Sequence, residues 1–166
     1  LGLTSSCGNV ADFGCGYGTF TIPAALIVRG TVHALDIEPE MVQATRRKAD
    51  EAALANVRAE RRDFVADGTG LLDASVDYVM LFNILHCERP EVLLREAWRI
   101  LSPGGRLGIM HWNYDPNTPR GPSMDIRPRP EQCRDWAIAV GFTLAAADKI
   151  DLPPHQRRFA QHRRIE

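Results

Sequence analysis

Asp12-Phe13-Gly14-Cys15-Gly16-Tyr17-Gly18-Thr19 is the stretch whose reading decides the fold of this chain. An apolar strand, Asn9 to Phe13, runs straight into three alternating glycines. Glycine reaches backbone angles closed to other residues and lets a ligand approach the main chain. A helical stretch, Thr19 to Arg29, follows, with Pro23 near its first turn and Gly30 as the expected stop. Such a turn is either a tight strand-to-helix corner or a ligand cradle, and the surrounding residues must choose between them.

Outward from this corner the pattern repeats. Thr31 to Ile37 reads as a second strand, and Pro39 opens a helix running to about Leu54. Val57 to Phe64 is a weaker, arginine-rich strand; Val76 to Asn83 is nearly all apolar, as a strand covered on both faces requires. Leu93, Leu94, Ala97, Trp98 and Leu101 recur at helical spacing, and Ser102-Pro103-Gly104-Gly105 ends that helix. Arg106 to Trp112 is the next strand. Glu131 to Val140 is a helix stopped by Gly141, and Phe142 to Leu152 and Arg157 to Ile165 are two closing strands. Alternating strands and helices imply an α/β fold: an open, mostly parallel twisted sheet with helices on both faces and an antiparallel closing strand. Ligands of such sheets sit beyond the carboxyl ends of the strands. The loops after Phe13, Ile37, Phe64, Asn83 and Trp112 are thereby expected around one crevice.

The side chains of that crevice restrict its ligand. Gly14 and Gly16 fit the dinucleotide pattern Gly-x-Gly-x-x-Gly, but Thr19 stands at its third glycine. Asp12, at the strand end, would repel a pyrophosphate and suit a cationic group such as an ammonium. Asp36 ends the second strand eighteen residues after Gly18, where a carboxylate can accept from both hydroxyls of a ribose. A nucleoside carrying an ammonium and no pyrophosphate meets these conditions.

The stretch Asp12 to Gly18 resembles the first motif of the class I S-adenosylmethionine-dependent methyltransferases, in their small-molecule branch. His33-Ala34-Leu35-Asp36-Ile37-Glu38 is similar to the second motif, Arg62-Asp63-Phe64 to the third and Asp77 to Asn83 to the fourth. Leu94 to Leu107 resembles the helix, turn and fifth strand that follow. The resemblance implies a Rossmann-like methyltransferase fold with S-adenosylmethionine as cofactor and S-adenosylhomocysteine as product. It implies cofactor contacts from Asp12, Gly14, Cys15, Gly16, Tyr17, Gly18, Asp36, Ile37, Met41, Asp63, Phe64 and Asn83. Asp63 would meet the adenine amino group, with a strand-end cap as its plainer reading, and Phe64 could equally be core. The sequence departs from the family in two places. Only eight residues precede Asn9, so a lid of N-terminal helices is expected to be missing or supplied by a partner. The run Arg157 to Arg164 is too charged for a strand inserted into a sheet.

His86 and His111 are the candidate general bases, since an unperturbed imidazole is mostly neutral at pH 7. The irregular segment from residue 111 to 130, rich in proline, is expected to form the acceptor side through Trp112, Tyr114, Arg120 and Arg127, its arginines suiting an anionic molecule. A mobile linker is its alternative.

The 166 residues are 45% hydrophobic and 25% charged, with 20 basic against 21 acidic side chains, which fits one globular domain, residues 1 to 166. A net charge of −1 excludes a general polyanion binder, and the arginine run lacks an aromatic stacking platform, so nucleic acid is disfavoured as a partner. No apolar run spans a bilayer. Cys7, Cys15, Cys87 and Cys133 form no CxxC pair, so no metal site is expected. With no leader before the first strand, they read as reduced thiols of a cytoplasmic protein. Methyl transfer to a small-molecule acceptor is the leading expectation, and a homo-oligomer is compatible with it. A non-catalytic methyltransferase-like module and a nicotinamide-dependent oxidoreductase are the alternatives, with transfer to a metalloid bound near Cys87 as a variant.

Overall fold

The computed structural model describes residues 2–118, 120–152 and 156–162. Their elements run in the order β1 (Val10–Phe13), α1 (Thr21–Ile27), β2 (Val32–Asp36), α2 (Pro39–Glu51), β3 (Val57–Arg61) and β4 (Val76–Phe82), followed by α3 (Pro90–Ile100), β5 (Leu101–Trp112), α4 (Pro130–Val140), β6 (Thr143–Leu152) and β7 (Gln156–His162). One seven-stranded sheet has the order β3-β2-β1-β4-β5-β7-β6. The pairs from β3 to β5 are parallel, and β7 runs antiparallel to both β5 and β6. The strand order reverses between β1 and β4, so a crevice opens at their carboxyl ends.

Alternation along the strands divides the core between two faces. Phe13, Leu81, Leu107 and Ile109 pack with Leu93, Leu94, Ala97 and Ile100 of α3 and with Cys133 and Ala137 of α4. Val10, Tyr78, Met80, Phe82 and Met110 pack on Ala24, Ala25 and Val28 on the other. Each fully buried leucine or isoleucine contributes roughly 1.5–3 kcal/mol, which makes α3, with three such burials in Leu93, Leu94 and Ile100, the main lid of its face.

Several boundaries differ from the sequence reading. Helix α1 ends at Ile27, and Val28 is extended. Gly30 is therefore no helix stop: a Cβ there would strike the Gly8 backbone, so its glycine is demanded by close approach of two chain segments. Ser102 to Gly105 does follow the end of α3 but lies within β5, as an irregularity where the register against β4 shifts between Val76 and Tyr78. Strand β3 stops at Arg61, because the chain turns at Asp63, whose Oδ1 accepts from the Val65 and Ala66 N–H groups. The charged run of the last strand does enter the sheet: Arg157 pairs with His111 and Arg158 with Met110. Residues 163 to 165 of the expected last strand lie outside the described residues.

The crossover from β3 to β4 is fastened to α3 by a charge cluster. Glu96 Oε1 accepts from the Thr69 N–H at 2.7 Å and hydroxyl at 2.6 Å, and from Arg99 Nη2 at 2.6 Å. Arg99 also reaches Asp73 and the Leu71 carbonyl. Burial alone would raise the Glu96 carboxyl, but these bonds prevail and bring it down to about 2. A carboxyl lowered on folding stabilises above its unfolded value, and that stability is lost as pH falls through the folded value. Lowering the pH from 5 to 2 should therefore erase about 2–3 kcal/mol of wild-type stability that Glu96→Gln never has, read as converging urea midpoints of the two proteins at low pH.

Candidate functional site

The crevice is built around Gly16. Its φ is +53°, a conformation L side chains rarely adopt, and a Cβ there would point into open space. The peptide is held from both sides. Its N–H donates to Asp36 Oδ2 at 2.8 Å, and its carbonyl accepts from the Thr45 hydroxyl at 2.9 Å. Asp36 Oδ1 takes the Glu38 N–H at 3.0 Å. One carboxylate at the end of β2 thus ties the glycine loop to the start of α2. Across the crevice, Ile84 packs against Gly14 and closes the loop against the end of β4.

Asp12 differs from its expected role as an open carboxylate. It lies on the α1 face of β1 with 2% exposure, and its Oδ2 accepts from the Thr21 hydroxyl at 2.6 Å. Burial pushes its carboxyl up to about 7, with the Thr21 bond opposing and the Asp36 charge adding to the rise. It is therefore part protonated near neutrality, and a cation brought beside it would favour its charged form.

The remaining sequence candidates divide. Tyr17 and Ile37 are exposed, at 61% and 46%, and Met41 is partly buried. Ile37 and Asp63 line a recess of about 300 Å³ with Arg62, quoted above within the third motif, and with Arg61 and Asp67, which the sequence reading passed over. Asp63 combines that position with its turn-capping bond. Two candidates have side chains directed into the core. Cys15 is 5% exposed and packs with Ala34, Val42 and Ala59, and burial moves its thiol up to about 12. Phe64 stacks 5.1 Å from Phe13, so the core half of its two readings holds for its ring.

Beyond β4 and β5 the site changes character. Asn83 takes a φ of +58° and donates its N–H to the Met110 carbonyl at 2.7 Å, which turns its side chain away from the sheet ladder. Its Oδ1 is buried without a partner. His86 and His111 meet edge to face with ring centroids 5.6 Å apart. Neither nitrogen of His111 has a hydrogen-bond partner, nor does Nδ1 of His86. The Trp112 backbone lies beside His111 and works against the fall in its pKa. Burial, with the His86 ring beside it, takes His111 down to about 4, and burial lowers His86 as well. Both imidazoles are neutral at pH 7, but His111 is a far weaker base than an unperturbed histidine.

The segment after β5 is internally tied. The five N–H donors of Arg127 make five bonds of 2.6–3.2 Å to the carbonyls of Asn113, Asp115, Arg120 and Pro122. Arg127 is 6% exposed, so its guanidinium fastens the segment and offers no free N–H to a substrate, contrary to the sequence expectation. Gly121 lies against the Trp112 ring, and Arg129 stacks 4.0 Å over Tyr114. Arg120 is exposed. Nothing in the sequence signalled Thr45, Ile84 or Asn113, since each acts through a contact between distant segments.

Comparison with known proteins decides among the families that share such a sheet. The model of a family described as "Methyltransferase domain" matches residues 10–105. The chain belongs to this methyltransferase family. It is similar to aklanonic acid methyltransferase DauC of Streptomyces sp. (strain C5), at 31% identity over 146 residues, which cover 81% of this chain and 66% of that protein. Among solved structures it resembles a SAM dependent methyltransferase from Aquifex aeolicus, with a TM-score of 0.85 and 21% identity over 97% of this chain and 84% of that one. It also resembles the [4+2]-cyclase SpnF, with a TM-score of 0.83 and 16% identity over 99% and 78% of the two chains. At those identities the structures attest the fold. The chain spans from 31% to 66% of the length of the first curated relatives it matches. As a methyltransferase domain it is set apart from the nicotinamide-dependent enzymes, in line with Asp12 and Thr19.

Asp12 tests the electrostatics of the loop. A carboxyl raised on folding stabilises below its unfolded value, and that stability is lost as pH rises through 7. Asp12→Asn should therefore gain on the order of 2–4 kcal/mol over the parent between pH 5 and pH 9, measured as the difference of their urea midpoints across that range.

Proposed function

We propose that this domain binds S-adenosylmethionine along the glycine loop and transfers its methyl group to a small-molecule acceptor held beyond β4 and β5. One observation carries the reading: the Gly16 peptide is pinned at a positive φ, with the space beside its Cα open and a two-oxygen acceptor at Asp36 next to it. Each Asp36 oxygen accepts one backbone N–H and keeps a further lone-pair direction for a ribose hydroxyl. The unpartnered Asn83 Oδ1 suits a donor group of the ligand. Gly14, Gly18, Tyr17, Ile37, Met41 and Asp63 surround the same loop or the recess beside it, and Cys15 would take part through its backbone. Asp12, which gains charge when a cation approaches, suits the ammonium of an amino acid.

The bound cofactor supplies an electrophilic methyl carbon on a sulfonium centre. The protein's part is alignment at near-attack distance, exclusion of water and, for a hydroxyl acceptor, a site for the proton lost. His86 is the better base of the pair, being half-buried where His111 is fully buried and lowered further. Residues 111 to 130 form the acceptor side, with Trp112 and Tyr114 at its base and Arg127 holding its shape.

Among the described residues no helix is long and apolar enough to cross a membrane. Four free thiols support a reducing, cytoplasmic setting.

Calorimetry with S-adenosylhomocysteine tests the proposal directly. Micromolar binding is expected, and Asp36→Ala should weaken it by roughly 1.5–3 kcal/mol for each charged hydrogen bond lost. Equal affinity in parent and variant would remove Asp36 from the site, and no heat with the parent would remove the reading itself.

A further inference from the structure

The end of the crevice beyond β4 and β5 gathers an unusual set of groups. Asn83 Oδ1, His86 Nδ1, both nitrogens of His111, Asn113 Oδ1 and Thr118 Oγ1 are all buried and all lack hydrogen-bond partners. They make up six of the seven such atoms among the described residues. They lie on two stretches, residues 83–86 and 111–118, that meet at His86 and His111. His86 and His111 are in ring contact, Asn83 bonds to the residue before His111, and Asn113 and Thr118 lie in the segment that Arg127 fastens. Native proteins pair nearly all their buried polar atoms, so a cluster of orphans on one wall marks a place where a partner is received.

The set also specifies the partner's charge. The cation of this wall, Arg127, has every N–H donor committed to a loop carbonyl. His111 is 4% exposed and stays neutral through the physiological range. Arg127 therefore has no N–H left for an anion, Arg129 is stacked over Tyr114, and Arg120 is exposed. No carboxylate is among the unpartnered atoms to receive an ammonium, and Asp115 Oδ1 is taken by Asn117. What remains is two amide oxygens, which accept, a threonine hydroxyl, and two neutral imidazoles, each offering one donor and one acceptor. A hydroxyl, which both donates and accepts and carries no charge, is complementary to such a set. An apolar or thioether group would leave the orphans unpaired.

We propose that Asn83, His86, His111 and Asn113 form the recognition site for an uncharged, hydroxyl-bearing molecule. The inference rests on the methyl-transfer reading only in making that molecule the acceptor. It replaces the anionic acceptor suggested by the arginines of this segment.

The test uses three ring compounds of similar size: phenol, benzoate and benzylammonium. Each is titrated into the whole protein, saturated with S-adenosylhomocysteine, while the imidazole nitrogens of His86 and His111 are followed by NMR. Phenol should shift both imidazoles and saturate, with an apparent affinity at least tenfold above those of the two charged compounds. His111→Phe removes two buried unpaired nitrogens, so it should melt at a higher temperature, keep its S-adenosylhomocysteine affinity within twofold and lose the His86 response to phenol. Asn113→Ala, which keeps the backbone carbonyl bonded to Arg127, should weaken phenol at least threefold and gives a second variant should the first not fold. The proposal is overturned if phenol moves neither imidazole, if a charged compound binds as well as phenol, or if His111→Phe binds phenol normally. Failure of S-adenosylhomocysteine to bind would instead sink the methyl-transfer reading, and the phenol titration without it would still decide the hydroxyl site.

Discussion

The bonds from Asp36 to the Gly16 and Glu38 N–H groups are what the rest of the site depends on. A glycine loop is free in the conformations it visits, and freedom is of no use to a ligand that needs one shape. Here the loop's shape is fixed by a carboxylate from the neighbouring strand and a hydroxyl from the next helix. The parallel register of β1 and β2, with Phe13 beside Leu35, brings Asp36 level with the loop. Sheet order, strand length and loop conformation are thus one arrangement, and moving any of them would release Gly16.

The two ends of the crevice are built on opposite principles. At the glycine loop, Asp12, Asp36 and Thr45 are engaged with their own chain and offer a ligand their remaining capacity. At the far end, Asn83 Oδ1, His86 Nδ1, both nitrogens of His111 and Asn113 Oδ1 have no hydrogen-bond partner. Saturation makes a rigid surface, suited to a ligand of one fixed shape. Unpaired buried groups each cost on the order of 1–3 kcal/mol, so the closed form of the far end is held against a penalty that a fitting molecule removes. The ties of Arg127 to four carbonyls explain how the segment keeps its shape against that penalty.

Much of the fold was legible in the sequence because its signals are local. The alternation of strand and helix, Pro39 at a helix start and Gly141 in the left-handed cap all act within a few residues. Asp36 was legible because its position at a strand end is itself a local fact. Gly30 was misread because its constraint comes from Gly8, far away in sequence. Arg127 was misread for a similar reason: composition shows a cation but not that its donors are already spent. The protonation of Asp12 and the neutrality of His111 follow from burial, which no spacing rule reports.

Fold likeness leaves the reaction open, since one neighbour of this sheet is a [4+2]-cyclase and another a methyltransferase. The difference between such proteins must lie where the shared architecture stops dictating side chains. In this chain that place begins at Asn83, where the backbone leaves β4 with φ at +58°. Up to Phe82 every residue of β4 but Asp77 is buried, and its neighbours are set by packing. After it, Ile84 packs against Gly14 and His86 meets His111 from a turn beyond the strand. Strand β5 delivers His111 to the same point from the face it shares with Leu107 and Ile109. A rigid sheet thus carries one polar pair to the edge of the glycine loop. Chemistry there can change by substitution at Asn83, His86, His111 or Asn113 without disturbing the bonds that hold Gly16.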